Sequence, residues 1–199
     1  MSGSKKRNFN RPVATREYRK VFTIFPEGEK TENCYFTILR GINETVNIIV
    51  KKGDKKNEPD QILSRAKKHI REHGVSKNEQ IWLVIDVDGR AESSFKGCFE
   101  WEKTNTKYNL AISNPKFEYW LLMHFENGGD GVKNSSDCMT KLIKRIPSYT
   151  KSNISTREIT KESCTEAVNN GERKHRTVEV LQGNCSTVYK LVKEILELK

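Results

Sequence analysis

The chain has 199 residues, 35% hydrophobic and 31% charged, with aromatic residues in discrete clusters, so a folded core is expected and a wholly disordered chain is excluded. No apolar run approaches the roughly 20 residues of a membrane span, and no apolar segment follows the N-terminal charges, so the cytoplasm is the expected compartment and a membrane or secreted protein is not. The formal net charge is +10, which favours an anionic partner such as nucleic acid.

That charge is unevenly spread. Residues 1–20 hold Lys5, Lys6, Arg7, Arg11, Arg16, Arg19 and Lys20 against Glu17 alone. This basic N-terminal arm suits DNA or RNA phosphates, and a solubilising tail has the same composition. After it, Val21–Phe25 reads as a short buried strand ended by Pro26 and Gly28. Thr31 or Asn33 can cap the next helix, which carries Tyr35, Phe36, Leu39 and Ile42 on one face. Val46–Val50 is a second strand, and the lysine-rich stretch Lys51–Lys56 is a solvated loop. Pro59 opens a helix with Ile62, Leu63, Ala66 and Ile70 inward, closing near Gly74. Its His69 and His73 have metal-pair spacing, but with no HExxH pattern or third ligand they read as its polar face.

Ile81–Asp86 is apolar on both faces, as a central parallel strand is. A helical stretch with Phe95, Phe99 and Trp101 follows, then a strand over Tyr108–Ser113. Asn114 is a good N-cap and Pro115 suits a first helical position, predicting a buried helix through Phe125. Helices are expected over Asp137–Ile146, Arg157–Asn170 and Ser186–Leu198. The fold expected is α/β, a mostly parallel central sheet flanked by helices. Its divisions are a basic arm at 1–20, an α/β core at 21–126 and a helical C-terminal extension at 127–199 packed on the core. Five scattered cysteines without a CxxC pair argue against disulfides and a structural zinc site.

Ligands of parallel α/β sheets bind outside the carboxyl ends of the strands, and two acidic clusters fall there. Glu27, Glu29 and Glu32 follow the first strand, and Asp86 and Asp88 follow the Ile81 strand. In extended backbone, residues i and i+2 share a side, so Asp86 and Asp88 can present paired carboxylates to a hard divalent cation. A turn is the plainer reading of Asp-Val-Asp-Gly. The Pro26–Glu32 segment also invites comparison with a phosphate loop. It lacks the G-x-x-x-x-G-K-[ST] pattern, and its glutamates would repel a triphosphate. Lys30 can still stabilise charge on a single phosphate, or simply pair with a neighbouring glutamate.

The blocks "PEGEKTE", "VIDVDGR", "SNPKFEYWLLMHFE" and "GNCSTVYKLVKEIL", in this order, resemble the RloB-like family of bacterial defence-associated proteins, and more broadly the Toprim fold. The resemblance runs almost from end to end. It implies a Mg²⁺- or Mn²⁺-dependent nuclease acting on DNA or RNA, tRNA among them, in antiviral defence and often beside a partner ATPase. A homodimer is compatible with it. The Toprim pattern implies that Asp86 and Asp88 bind the metal and that Glu27 is general acid/base or ligand. Lys30 would then stabilise the reacting phosphate. Glu32 and Glu118 match acidic positions of the family blocks. Glu118 can face the sheet edge or favour its helix N-terminus. Where many family members carry a further acid after the aspartates, this chain has Gly89 and Arg90, and Arg90 can meet substrate phosphate. The alternative is a non-catalytic nucleic-acid- or partner-binding module on the same scaffold.

Overall fold

The computed structural model describes residues 20–53, 58–127, 131–154 and 156–197. Lys5, Lys6, Arg7, Arg11 and Arg16 of the arm lie outside the described residues.

The chain runs β1 (Lys20–Pro26), α1 (Thr31–Ile42), β2 (Val46–Val50), α2 (Pro59–His73) and β3 (Glu79–Asp86). A 3₁₀ turn at Glu92–Phe95, α3 (Lys96–Glu102), β4 (Tyr108–Asn114) and α4 (Phe117–Leu122) follow. The C-terminal part adds α5 (Ser135–Arg145), α6 (Lys161–His175), β5 (Cys185–Ser186) and α7 (Val188–Glu197). The strands form one sheet in the order β2-β1-β3-β4-β5. The first four are parallel, and the two-residue β5 joins β4 antiparallel.

The strand alternation explains the two layers. On β1 and β3, Phe22, Ile24, Trp82 and Val84 point into one apolar cluster, shared with α1 and α4–α7. Phe25, Ile81, Leu83 and Ile85 point into the other, under α2 and α3. The sheet is thus buried on both faces, which is why its strands read as continuous apolar runs. The C-terminal helices share the first cluster through Cys138, Leu142, Cys164, Leu191 and Ile195.

The helix punctuation is partly as the sequence predicts. Glu58 and Gln61 form a capping box ahead of Pro59, and Gly74 closes α2 with φ +71°. Around Pro115 the structure differs. Asn114 is the last residue of β4, the Asn114–Pro115 peptide is cis, and α4 starts at Phe117 with Lys116 at its N-cap. A proline in the first helical turn and one in a tight bend look alike in sequence. At α1, Lys30 occupies the cap position and no side chain caps the helix. The expected helix over Arg157–Asn170 is displaced to Lys161–His175, where Thr160 and Ser163 supply a capping box.

Candidate functional site

The chain leaves β1 for β2 on one side, and returns by α2 to β3 on the other side of β1. The β1/β3 boundary is therefore a switch point, where crossovers diverge and a crevice opens at the carboxyl ends. Glu27 directly follows β1 and Asp86 ends β3, so both stand at this crevice. The backbone N–H of Asp86 donates to Glu27 Oε2 at 3.0 Å, joining the two strand ends.

A cavity of about 380 Å³ opens here, its walls including Glu27, Lys30, Glu32, Asp86, Lys116 and Glu118. Glu32 reaches it from the first turn of α1 and Glu118 from the first turn of α4. They are 4% and 6% exposed. The N–H of Gly28 donates to Glu32 Oε1 at 3.2 Å. A Cβ on Gly28 would lie 2.3 Å from Glu32 Oε2, so the glycine here makes room for a carboxylate. Tyr149, from the loop after α5, donates to Glu118 Oε1 at 3.0 Å. Lys151, two residues on, also lines the cavity. The floor is acidic and the walls carry three lysines.

Burial pushes the Glu32 carboxyl up to about 7, with the Glu118 and Glu27 carboxylates adding to the effect and the backbone amides of Glu32 and Gly28 opposing it. Asp86 keeps a partly open face but is ringed by protein. Burial raises its pKa well above the ordinary range, and Glu32, Glu27 and Glu118 push the same way against Lys116. Glu27 is raised too, chiefly by burial, with the Asp86 amide and Arg90 pulling it back. For Glu32, Asp86 and Glu27 burial outweighs the hydrogen bonds and cations that favour the ionised form.

Of the other predicted residues, Asp88, Glu29 and Lys30 also line the cavity, and Arg90 does not. Arg90 Nη2 and Nη1 meet Glu27 Oε1 and Oε2 at 3.0 and 3.3 Å, so Arg90 is committed to a carboxylate. Asp88 sits in the left-handed region at φ +42°, followed by Gly89 at +76°. This turn breaks the extended geometry that would aim both aspartates the same way. Asp88 lines the cavity edge, 42% exposed at its side chain, and pairs with Lys116 Nζ at 3.2 Å. Glu29 and Lys30 line the cavity, and neither is in an ion pair among the described residues.

A family model described as RloB-like protein matches residues 22–195, from β1 to α7. The chain belongs to the RloB-like family. No curated protein and no solved structure matches it.

Whether this RloB-like pocket suits a divalent cation is a question of donor chemistry. Among the described residues, no three His, Cys, Asp or Glu side chains already stand as a ready ligand set. Mg²⁺ does not require one, since it is commonly held by one or two carboxylates and keeps several waters. Asp86, Glu32 and Glu118 are oxygen donors whose mutual repulsion a hard cation relieves, and in that sense they fit. Glu27 has Arg90 and the Asp86 amide on its oxygens, and Asp88 has Lys116.

Two lining residues of the RloB-like chain, Lys116 and Lys151, and Tyr149, which holds Glu118, escaped the sequence reading. Lys116 follows a strand end, and that position was the available signal. Tyr149 and Lys151 lie in an irregular stretch between the block that ends at Glu126 and the one that starts at Gly183, with no local pattern to mark them. His124 proves to be a core residue, 4% exposed. His69 and His73 stack on each other on α2 with centroids 4.5 Å apart.

Proposed function

We propose that this protein is a Mg²⁺- or Mn²⁺-dependent hydrolase of nucleic-acid phosphodiesters of Toprim type, acting in bacterial antiviral defence as the RloB-like family suggests. The observation that supports it best is the convergence of Glu27, Glu32, Asp86 and Glu118 on one cavity walled by Lys30, Lys116 and Lys151, at the switch point of a parallel sheet. Acid floor and basic walls suit a divalent cation together with a phosphate.

In this reading Asp86, Glu32 and Glu118 hold the cation, which supplies electrophilic charge to a phosphoryl oxygen when bound. Lys30 and Lys151 orient the phosphate and stabilise negative charge growing on it. Lys116 is divided between Asp88 and the same task. Glu27, whose contact with Arg90 opposes the rise that burial gives its pKa, accepts the proton of the attacking water. The basic arm adds sequence-independent, salt-sensitive affinity for DNA or RNA. A partner ATPase belongs to the same proposal.

The test is incubation of the full chain with plasmid, single-stranded DNA and tRNA in Mg²⁺, Mn²⁺ or EDTA. Cleavage is expected with either metal, and is lost in EDTA and in Asp86→Ala. Cleavage that persists in EDTA, or in Asp86→Ala at full rate, sinks the proposal. One observation favours a second reading, a non-catalytic nucleic-acid-binding module: Arg90 and Lys116 already neutralise Glu27 and Asp88. Binding without cleavage, unchanged in Asp86→Ala and lost on deleting residues 1–19, would establish that alternative.

A further inference from the structure

Arg90 uses all three of its guanidinium nitrogens within the fold. Nε donates to Glu58 Oε2 at 3.2 Å, at the capping box that starts α2. Nη1 donates to the Asp86 carbonyl at 3.0 Å and to Glu27 Oε2 at 3.3 Å. Nη2 donates to Glu27 Oε1 at 3.0 Å. One planar group thus spans the end of β1, the end of β3 and the start of α2. Its side chain is 19% exposed, and it is not among the residues that line the acidic cavity. It reaches Glu27 from outside, while Glu27 faces in.

From this geometry we infer that Arg90 is a positioning residue, which sets the Glu27 carboxylate and the Asp86 strand end from behind the cavity and does not contact substrate phosphate. The inference rests on the reading of the cavity as a divalent-cation site and names how that site is held. The bidentate fork fixes the plane of the Glu27 carboxylate, because two parallel N–H···O bonds define an orientation that a point charge does not. Through the Asp86 carbonyl the same group fixes the backbone that carries the principal carboxylate. Releasing Arg90 to a phosphate would break contacts at three elements at once, and would leave Glu27 unbalanced among three other carboxylates.

Arg90→Lys is the informative substitution. It keeps the positive charge, so the electrostatic effect on a bound cation is largely conserved, and it loses the fork. Two binding measurements on the full chain separate the roles without requiring activity. Calorimetry with Mn²⁺ alone reads the cation site. Anisotropy of a fluorescein-labelled 20-nucleotide single strand in EDTA, over a NaCl series, reads phosphate contacts. Expected for Arg90→Lys is Mn²⁺ affinity weakened by about tenfold, the low end of what loss of an outer partner costs. Oligonucleotide affinity and its salt slope should stay at the wild-type values. In a Glu27→Gln background the loss of Mn²⁺ affinity should persist, since Arg90 also holds the Asp86 carbonyl. Arg90→Gln should likewise leave the salt slope unaltered.

Unchanged Mn²⁺ affinity in Arg90→Lys overturns the inference, whether or not the melting temperature falls. So does a salt slope reduced by about one in Arg90→Gln, which would give Arg90 to a phosphate. If the wild-type chain binds no Mn²⁺, the cation reading itself falls and takes this inference with it, a result visible before any variant is made.

Discussion

Two neighbouring regions bury polar groups in opposite ways. The first turns of α1 and α4 send Glu32 and Glu118 into the acidic cavity. A turn further on, the same segments send Tyr35, Trp120 and His124 into the aromatic core. In the core each ring nitrogen of His124 is matched: Nδ1–H donates to the Trp120 carbonyl at 3.2 Å, and Nε2 accepts from the Tyr35 hydroxyl at 3.2 Å. The imidazole packs edge-on to Tyr35 and Trp120. In the cavity, burial first and neighbouring carboxylates after it push the proton affinity of Glu32 and Asp86 upward. The core is neutral and its histidine is satisfied, as in interiors that serve stability, although Trp120 Nε1 beside it has no hydrogen-bond partner among the described residues. The cavity buries carboxylates whose ionised forms are disfavoured, a cost to folding that a cation can offset.

The sharpest contrast is in pH response, and the largest effect belongs to the core. Burial lowers the His124 pKa from the ordinary 6.5 to about 4. The unfolded chain therefore binds more protons than the folded chain between these values. The stability from neutral His124 is present above pH 6.5 and is lost as pH falls towards 4, on the order of 3 kcal/mol in all. Denaturation midpoints from pH 7 to pH 4 should show this loss, and a His124→Gln variant should flatten it. An equal slope in the variant would mean that the core histidine is not what titrates.

The cavity runs the other way. A raised carboxyl pKa gives stability that is complete below pH 4.5 and lost as pH rises through about 7. Glu32→Gln in EDTA should therefore be more stable than wild type at pH 8, by up to about 3 kcal/mol less what the weaker amide hydrogen bond to Gly28 forfeits. The gain should vanish near pH 4.5 and shrink at pH 8 when Mg²⁺ is added. A destabilised Glu32→Gln at pH 8 would place Glu32 with the satisfied groups and erase the contrast.

The smallest effect on stability is expected at Gly28. In Gly28→Ala the new methyl meets the flexible end of Glu32, not backbone, so the fold should lose only about 1 kcal/mol, at the low end for overpacking. Glu32 must turn away, so Mn²⁺ affinity measured by calorimetry should drop more than the melting temperature suggests. Retained affinity would show that Glu32 is dispensable to the cation.

Much of the scaffold was legible because its signals are local. Apolar runs marked β1, β2 and β3, and Pro59 with Gly74 bracketed α2 to the residue. The strand-end rule put Glu27 and Asp86 at the sheet edge before any coordinates. What escaped was set by pairing across the chain. The two-residue β5 is a strand only because β4 offers it an edge. Asp88 lines the same cavity as Asp86, but the turn at φ +42° sets it against Lys116, a pairing that no spacing rule anticipates. The partnership of Arg90 with Glu27 joins residues 63 apart in sequence, and no spacing rule anticipates it. Tyr149 reaches Glu118 from a loop of irregular structure, where periodicity has nothing to report.

The hydrogen bond between the Asp86 amide and Glu27 has a temporal consequence. Its partners are 59 residues apart, while Tyr149 and Thr31, which meet above Glu32 at 3.4 Å, are 118 apart. Contacts of such separation close late, because a long loop must be ordered before either end gains anything. The helices α1 and α2 can form from local sequence, but the cavity cannot exist until β3 has docked on β1 and the chain has been made past Lys151. A growing or partly folded polypeptide thus carries the carboxylates and lysines of the site as dispersed, solvated charges. Whatever the assembled pocket does, it begins only when folding is nearly over.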